Sequence, residues 1–470
     1  MPKFININSS HIVAGRKVHF KKDDVINISF QKEVSGFGLH FSPIAENQAF
    51  NLRSINSSVG LDTYAPSQRF RLDKIRLRIV SRGDETIEVS PYRSGKRLSM
   101  RAKYDGYLTH DSTKIRSYKP PQWAYDYWFS TSWTRMNQHT VLKEIDTAHR
   151  HHLEPRIWLL DAGWASTKTY LDFDLNKFPE GNNFLKVMHQ SGVKPILWIS
   201  PFIDSGTKLW ETFDKNNWLV KNISKESAEF TITGDNESIG SYIDFTSKSF
   251  IEFLTQKIKD LHTIGLSGLM FDFGESLPDE SILCLETESS KAASSLGLVG
   301  HNWYVGEIKK ILHAIAAPLD MCLISRSGWT ESFTDTGLWL GDQSSDVSRF
   351  AGLESVLWGY KTAYDAGYRF IGMDAGGYFG NPSINDYKKW LDLSVCMPFT
   401  MLHGAIQANP WELGGDILSH FRKVREHHAR IWSEPNGVEA EFELSANKQK
   451  IISVKVKDCH FTNQSSKLNN

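Results

Sequence analysis

From about residue 122 the chain settles into one rhythm: a short apolar run, a stretch with helical spacing, then another apolar run. "YDYWFSTSW" precedes the helical "HTVLKEIDTAHRHH", "PRIWLLDAGW" precedes "NFLKVMHQSG", and "KPILWISPF" follows. In "SFIEFLTQKIKDLHTIG" the side chains of Phe250, Leu254, Ile258 and Leu261 share one helical stripe, and Gly265 supplies the stop. "LSGLMFDFGE", "DMCLISRSG", "TGLWLGDQ", "YRFIGMDAGG" and "PFTMLHGA" continue the series to eight apolar strands, most of them separated by helices. Eight such strands point to an α/β fold, a closed (β/α)8 TIM barrel. An open doubly wound sheet is the alternative, but no Gly-rich dinucleotide fingerprint follows the first strand.

The flanks read differently. Residues 1–118 carry short β-branched alternating runs ("KVHF", "VINISF", "KIRLRIV", "TIEVSPY") between Gly, Asp, Asn and Ser, which predicts a small N-terminal β-domain. The barrel then occupies 119–433, with polar excursions near 205–240 and 277–300 after the third and fourth strands. Connections of that length are usually lids or disorder. Residues 434–470 form a C-terminal β-segment, read as a strand pair "VEAEFEL" and "KIISVKVKDCHF" around "SANKQ", and a polar tail.

Composition excludes some functions. The 54 Lys and Arg balance the 54 Asp and Glu, so no global field draws in nucleic acid or an anionic membrane. The four cysteines are widely spaced and lack a Cys-x-x-Cys pair, which argues against a zinc knuckle or a disulfide scaffold. "AHRHH" and "REHHAR" lie on amphipathic helices, where neighbouring side chains diverge, so they read as solvated faces rather than metal sites. No metal or cofactor is expected. With no apolar leader in "MPKFININSS" and no long apolar run, the expectation is a soluble, cytoplasmic protein.

In a barrel of this kind chemistry sits where the strands end. The second strand ends in Asp161, the fourth in Asp272, the fifth in Arg326, the sixth in Asp342, the seventh in Asp374 and the eighth in His403. One such Asp could simply cap the following helix; four, with an Arg and a His on the same rim, exceed what capping requires. Paired carboxylates across a pocket suit glycosidic bond cleavage, one attacking the anomeric carbon and the other exchanging a proton with the leaving oxygen and then with water. That chemistry needs no metal.

"LMFDFGESLP", "ISRSGW", "LWLGDQSSD" and "MDAGGY", with "WLLDAGW" and "LDFDLNKFP" before them and "PFTMLHG" after, resemble in order and spacing the signature of glycoside hydrolase family 31, over roughly residues 122–410. The resemblance implies that Asp272 is the nucleophile and Asp342 the general acid/base. It implies that Arg326 contacts the sugar, and that Asp161, Asp374 and His403 bind its hydroxyls. Trp339 and Tyr378 would be aromatic walls, Trp198 part of the pocket floor, and Glu275 a neighbour lying behind the nucleophile. The implied activity is a retaining exo-α-glycosidase on a small α-linked glycoside or oligosaccharide, α-glucosyl first. α-Galactosidase, α-xylosidase, sulfoquinovosidase, α-transglycosylase and α-glucan lyase remain alternatives.

Three departures qualify the resemblance. Met401 stands where the family often has Arg, two residues before His403. The flanks are shorter than the family's usual β-domains, and self-association is one way to cover barrel surface those domains would bury. Finally, "ASTKTYLDFDLNKFP" lacks the Arg and Trp pair with which sulfoquinovoside-cleaving members hold sulfonate.

Overall fold

In a computed structural model the described residues are 117–463, except 169, 233–237, 275–276, 278–281, 284–290, 293–299, 327–334, 348–351, 405–408 and 447–449. Of the N-terminal stretch they are 4–8, 18–21, 23–29, 34–36, 50–51, 69–72, 75–81, 87–92, 97–102 and 106–110.

Eight parallel strands close into a barrel: β1 (Tyr127–Thr131), β2 (Ile157–Leu160), β3 (Lys194–Ile199), β4 (Gly268–Phe271), β5 (Cys322–Ser325), β6 (Gly337–Trp339), β7 (Ile371–Asp374) and β8 (Phe399–Leu402). Closure is made by β8 pairing with β1, Tyr127 opposite Thr400. The strands are apolar throughout because closure with an outer ring of helices leaves neither face to water. β1, β2 and β4 through β8 are buried at every residue.

The outer helices are α1 (Gln138–Arg150), α2 (Asn183–Gln190), α3 (Lys248–Thr263), α4 (Gly300–Ala316), α5 (Leu353–Ala366), α6 (Ile384–Ser394) and α7 (Gly415–Trp432). Their starts are written locally. The Asn137, Ser247 and Ser383 side chains accept from Thr140, Phe250 and Asp386 N–H groups, satisfying donors that the first helical turn leaves open. On α3 the stripe of Phe250, Leu254, Ile258 and Leu261 is buried against the barrel as its spacing predicts.

Between β3 and α3 the chain builds an insert: antiparallel strands Phe202–Asp204, Ser238–Tyr242 and Phe230–Ile232, with a helix at Lys208–Lys215. The excursion after β4 includes a small ladder, Ile282–Leu283 against Lys291–Ala292. Among the described residues the N-terminal strands form two five-stranded sheets.

At the C-terminus the expected strand pair is a three-stranded sheet, Ala440–Leu444, Ile451–Val456 and Cys459–Thr462. "KIISVKVKDCHF" splits because Lys457 takes a left-handed φ of 49° and the chain reverses at Lys457–Asp458, Val456 pairing with Cys459. The sheet packs on α5 through Phe442 against Tyr360 and Tyr364. Among the described residues no helix is long and apolar enough to cross a membrane.

Candidate active site

The C-terminal rim of the barrel opens into a cavity of about 670 Å³ whose lining includes Asp161, Trp198, Asp272, Trp339, Asp342, Tyr378 and His403. Asp161, Trp198, Asp272, Trp339 and His403 are delivered by strand ends, as closure of the barrel dictates. Asp342 and Tyr378 stand further out, three residues beyond the end of β6 at Trp339 and four beyond the end of β7 at Asp374.

Asp272 follows β4 directly. After it the backbone turns sharply, with Phe273 at φ 62° and Gly274 at φ 99°. A positive φ is costly for a side-chain-bearing residue such as Phe. Its consequence is that the Phe273 ring lies 4.7 Å from the Arg326 guanidinium. The Asp272 carboxylate accepts from the Phe273 N–H at 2.8 Å, from Trp198 Nε1 at 3.1 Å, and meets Arg326 at 3.0 Å. Three donors on two oxygens leave it one orientation.

Arg326, ending β5, is 3 % exposed and also faces Asp342 at 3.6 Å. One guanidinium therefore spans both carboxylates that the sequence pairs, and its planar fork suits that arrangement. The indole of Trp339 covers it from another side, 5.6 Å away.

The floor is more deeply buried. Trp339 Nε1 donates to Asp374 Oδ1 at 3.1 Å, while Asp161 Oδ1 accepts from the Ala162 N–H at 2.7 Å. Among the described residues Asp161 Oδ2 and Asp374 Oδ2 are buried with no hydrogen-bond partner. Buried polar atoms are rarely left so. Burial, with repulsion from the neighbouring carboxylates, pushes Asp161 up to about 8 and Asp374 well above the usual carboxylate range. His403 moves the other way: burial drives its pKa down to about 3. Its Nε2 contact with Asp161, at 3.8 Å, is thus between neutral groups near pH 7 and not an ion pair. Ser130 Oγ, 2.9 Å from His403 Nδ1, fixes the ring. Tyr378 closes over it with ring centroids 5.0 Å apart. The paired glycines before Tyr378 permit this, since Gly377 at φ 78° passes so near Ser345 that an added Cβ would lie 2.6 Å from its backbone.

Two candidates need separate mention. Glu275 lies outside the described residues. Met401 is fully buried inside β8, in the core rather than on the cavity wall.

Several groups that line or support the cavity escape a reading based on strand ends. Ser130 belongs to β1, and the ends of β1 and β3 carry no charged residue to draw notice. Trp164 is present in "DAGW", and its Nε1 anchors the Trp198 carbonyl at 2.9 Å. Trp133, 42 % exposed, stands on the rim in a turn whose Arg135 is tied to buried Glu144 at 3.0 Å. Phe202, Asp204 and Leu209 come from the insert and form one wall of the cavity.

Fold and site together define an acid-lined (β/α)8 barrel with one cation held between two facing carboxylates. The family model for the glycosyl hydrolases family 31 TIM-barrel domain matches residues 117–431, and the chain belongs to that family. An α-xylosidase of Emericella nidulans is 25 % identical over 310 residues, 64 % of this chain and 38 % of that protein. A sulfoquinovosidase of Escherichia coli is 25 % identical over 259 residues, 53 % of this chain and 37 % of that protein. A family 31 sulfoquinovosidase of E. rectale, solved with an aza-sugar inhibitor, superposes with a TM-score of 0.72 at 17 % identity, covering 91 % of this chain and 71 % of that one. The chain spans about two fifths of the length of such curated relatives.

Proposed function

We propose that this protein is a retaining, exo-acting α-glycosidase that releases a terminal α-linked sugar, α-glucosyl first, from a small glycoside. The observation that carries the reading is the single Arg326 guanidinium in contact with both Asp272 and Asp342. Retention by double displacement needs two carboxyl groups about 5 Å apart. Contact with one guanidinium holds the two carboxyl groups close enough to act as a pair on one glycosidic bond.

In this reading the Asp272 carboxylate, held by three donors, attacks the anomeric carbon while protonated Asp342 gives its proton to the departing oxygen. Loss of the aglycone leaves a glycosyl ester on Asp272. Its negative charge is then gone, and Arg326 acts on Asp342 alone as that carboxylate takes a proton from the incoming water. Water attack releases the sugar with its original anomeric configuration and restores both groups. The unpartnered oxygens of Asp161 and Asp374 and the neutral Nε2 of His403 exchange hydrogen bonds with sugar hydroxyls in this reading. Trp339 and Tyr378 offer apolar ring faces to the carbon skeleton.

A second reading, α-xylosyl in place of α-glucosyl, is favoured by the similarity to α-xylosidases at 25 % and 23 % identity. One experiment tests both: hydrolysis of aryl α-glucoside, α-xyloside, α-galactoside and α-sulfoquinovoside, with NMR of the first product. Release of the α-anomer from the glucoside or the xyloside supports retention and selects the sugar. A β-anomer as first product overturns double displacement, and an unsaturated sugar indicates a lyase.

A further inference from the structure

The sequence spreads its cysteines widely, but folding brings two of them together. Cys396 lies in the turn between α6 and β8, and Cys459 opens the last strand of the C-terminal sheet. Their Sγ atoms are 3.1 Å apart although 63 positions separate them in the chain. Both are reduced. We propose that Cys396 and Cys459 form a dithiol–disulfide couple that covalently ties the C-terminal sheet to the barrel at the turn leading into β8.

Three observations carry this. First, both sulfurs are delivered by fixed backbone. The Cys396 N–H bonds to the Leu393 carbonyl at 3.0 Å, and the Cys396 carbonyl accepts from Tyr360 Oη at 2.8 Å. Cys459 is held by its pairing with Val456 across the tight Lys457–Asp458 reversal. A bonded pair of sulfurs is about 2.05 Å apart, so closure asks for a shift of roughly 1 Å and no rearrangement of elements.

Second, the two thiols are unequal. Cys396 is fully buried, whereas Cys459 is 7 % exposed at the sheet. The hydrogen bond between them raises the pKa of Cys396 and lowers that of Cys459. Cys459 is therefore the one to meet an external oxidant, and Cys396 the one to resolve.

Third, Cys322 supplies an internal contrast. It is buried at the start of β5 beside Tyr118, and burial pushes its thiol well up with no second thiol in contact among the described residues.

The oxidant is a small-molecule disulfide of the glutathione class. The Cys459 thiolate attacks one sulfur of the oxidant, forming a mixed disulfide and expelling one equivalent of small thiol. Cys396, giving up its proton, then attacks the Cys459 sulfur and expels the second equivalent. Two protein thiols are oxidised and one disulfide is reduced to two thiols, so atoms and electrons balance.

The test uses the full chain treated with oxidised glutathione, acid-quenched, alkylated, digested and mapped by mass spectrometry, with melting followed in parallel. The expected result is a linked peptide pair containing Cys396 and Cys459. The Tm should rise, because the cross-link restricts the unfolded chain, and dithiothreitol should reverse both effects. Cys396→Ser should stop at the mixed disulfide on Cys459, and Cys459→Ser should yield neither product nor Tm response. A wild-type protein in which both thiols stay alkylatable, or in which glutathione remains on Cys459 unresolved, overturns the proposal. That mapping requires no variant, so a substitution that fails to fold does not shelter it.

Discussion

At the residue scale the site is an electrostatic arrangement of a few groups with separable duties. Asp272 is surrounded by donors and Asp342 shares its cation, so Asp272→Asn should remove turnover by several orders of magnitude while Tm changes little; substantial remaining hydrolysis would place the nucleophile elsewhere. Asp161 makes a prediction about pH. Its folded pKa, about 8, lies above its unfolded value of 3.8, so the stability its proton supports is full below 3.8 and lost as pH rises through 8. His403 works in the opposite sense: its folded pKa near 3 lies below 6.5, so its contribution is full above 6.5 and lost as pH falls toward 3. Between about pH 6.5 and 8 the folded protein keeps the Asp161 proton that the unfolded chain has released, with Asp374 acting in the same direction, and stability should fall as pH rises. Asp161→Asn should make that part of the Tm–pH curve less steep. An unchanged slope in the variant would show that Asp161 ionises normally in the folded protein.

At the scale of elements, the barrel strands and helices follow from periodicity and capping. Leu254 on α3 has the burial its spacing requires, and Leu254→Ala should cost about 2–5 kcal/mol in denaturant unfolding. A cost near zero would mean that α3 does not seal the barrel. Much of this was legible because a closed parallel barrel imposes one apolar period on every strand, and charged residues at strand ends then mark the rim. Asp161, Asp272, Arg326, Asp374 and His403 were visible for that reason. Ser130 was not, because a hydroxyl at the end of β1 looks like any other small polar residue. The Lys457–Asp458 reversal was hidden because the apolar–polar alternation runs on toward it with no Gly or Asn at the turn. Nor could the Cys396–Cys459 contact be read, since distance along the chain says nothing of which loop a terminal sheet will cover.

At the scale of the whole molecule, the C-terminal sheet is part of the barrel's outer packing. Phe442 fills a space against Tyr360 and Tyr364, and Lys457 Nζ holds the Ile431 carbonyl at 2.6 Å near the end of α7. Truncation after residue 438 would expose those aromatics. The expected result is a lower Tm and elution as a larger species in size-exclusion chromatography; a truncated chain that melts and elutes as the full one does would make the sheet an ornament. The insert between β3 and α3 has a different consequence. The floor is made by strand ends, whereas the wall with Phe202, Asp204 and Leu209 belongs to the insert's small sheet and its helix. The two are therefore separable: substitutions in the insert reshape the cavity's outer wall while the strand ends that hold Asp161, Asp272 and His403 keep their barrel pairing.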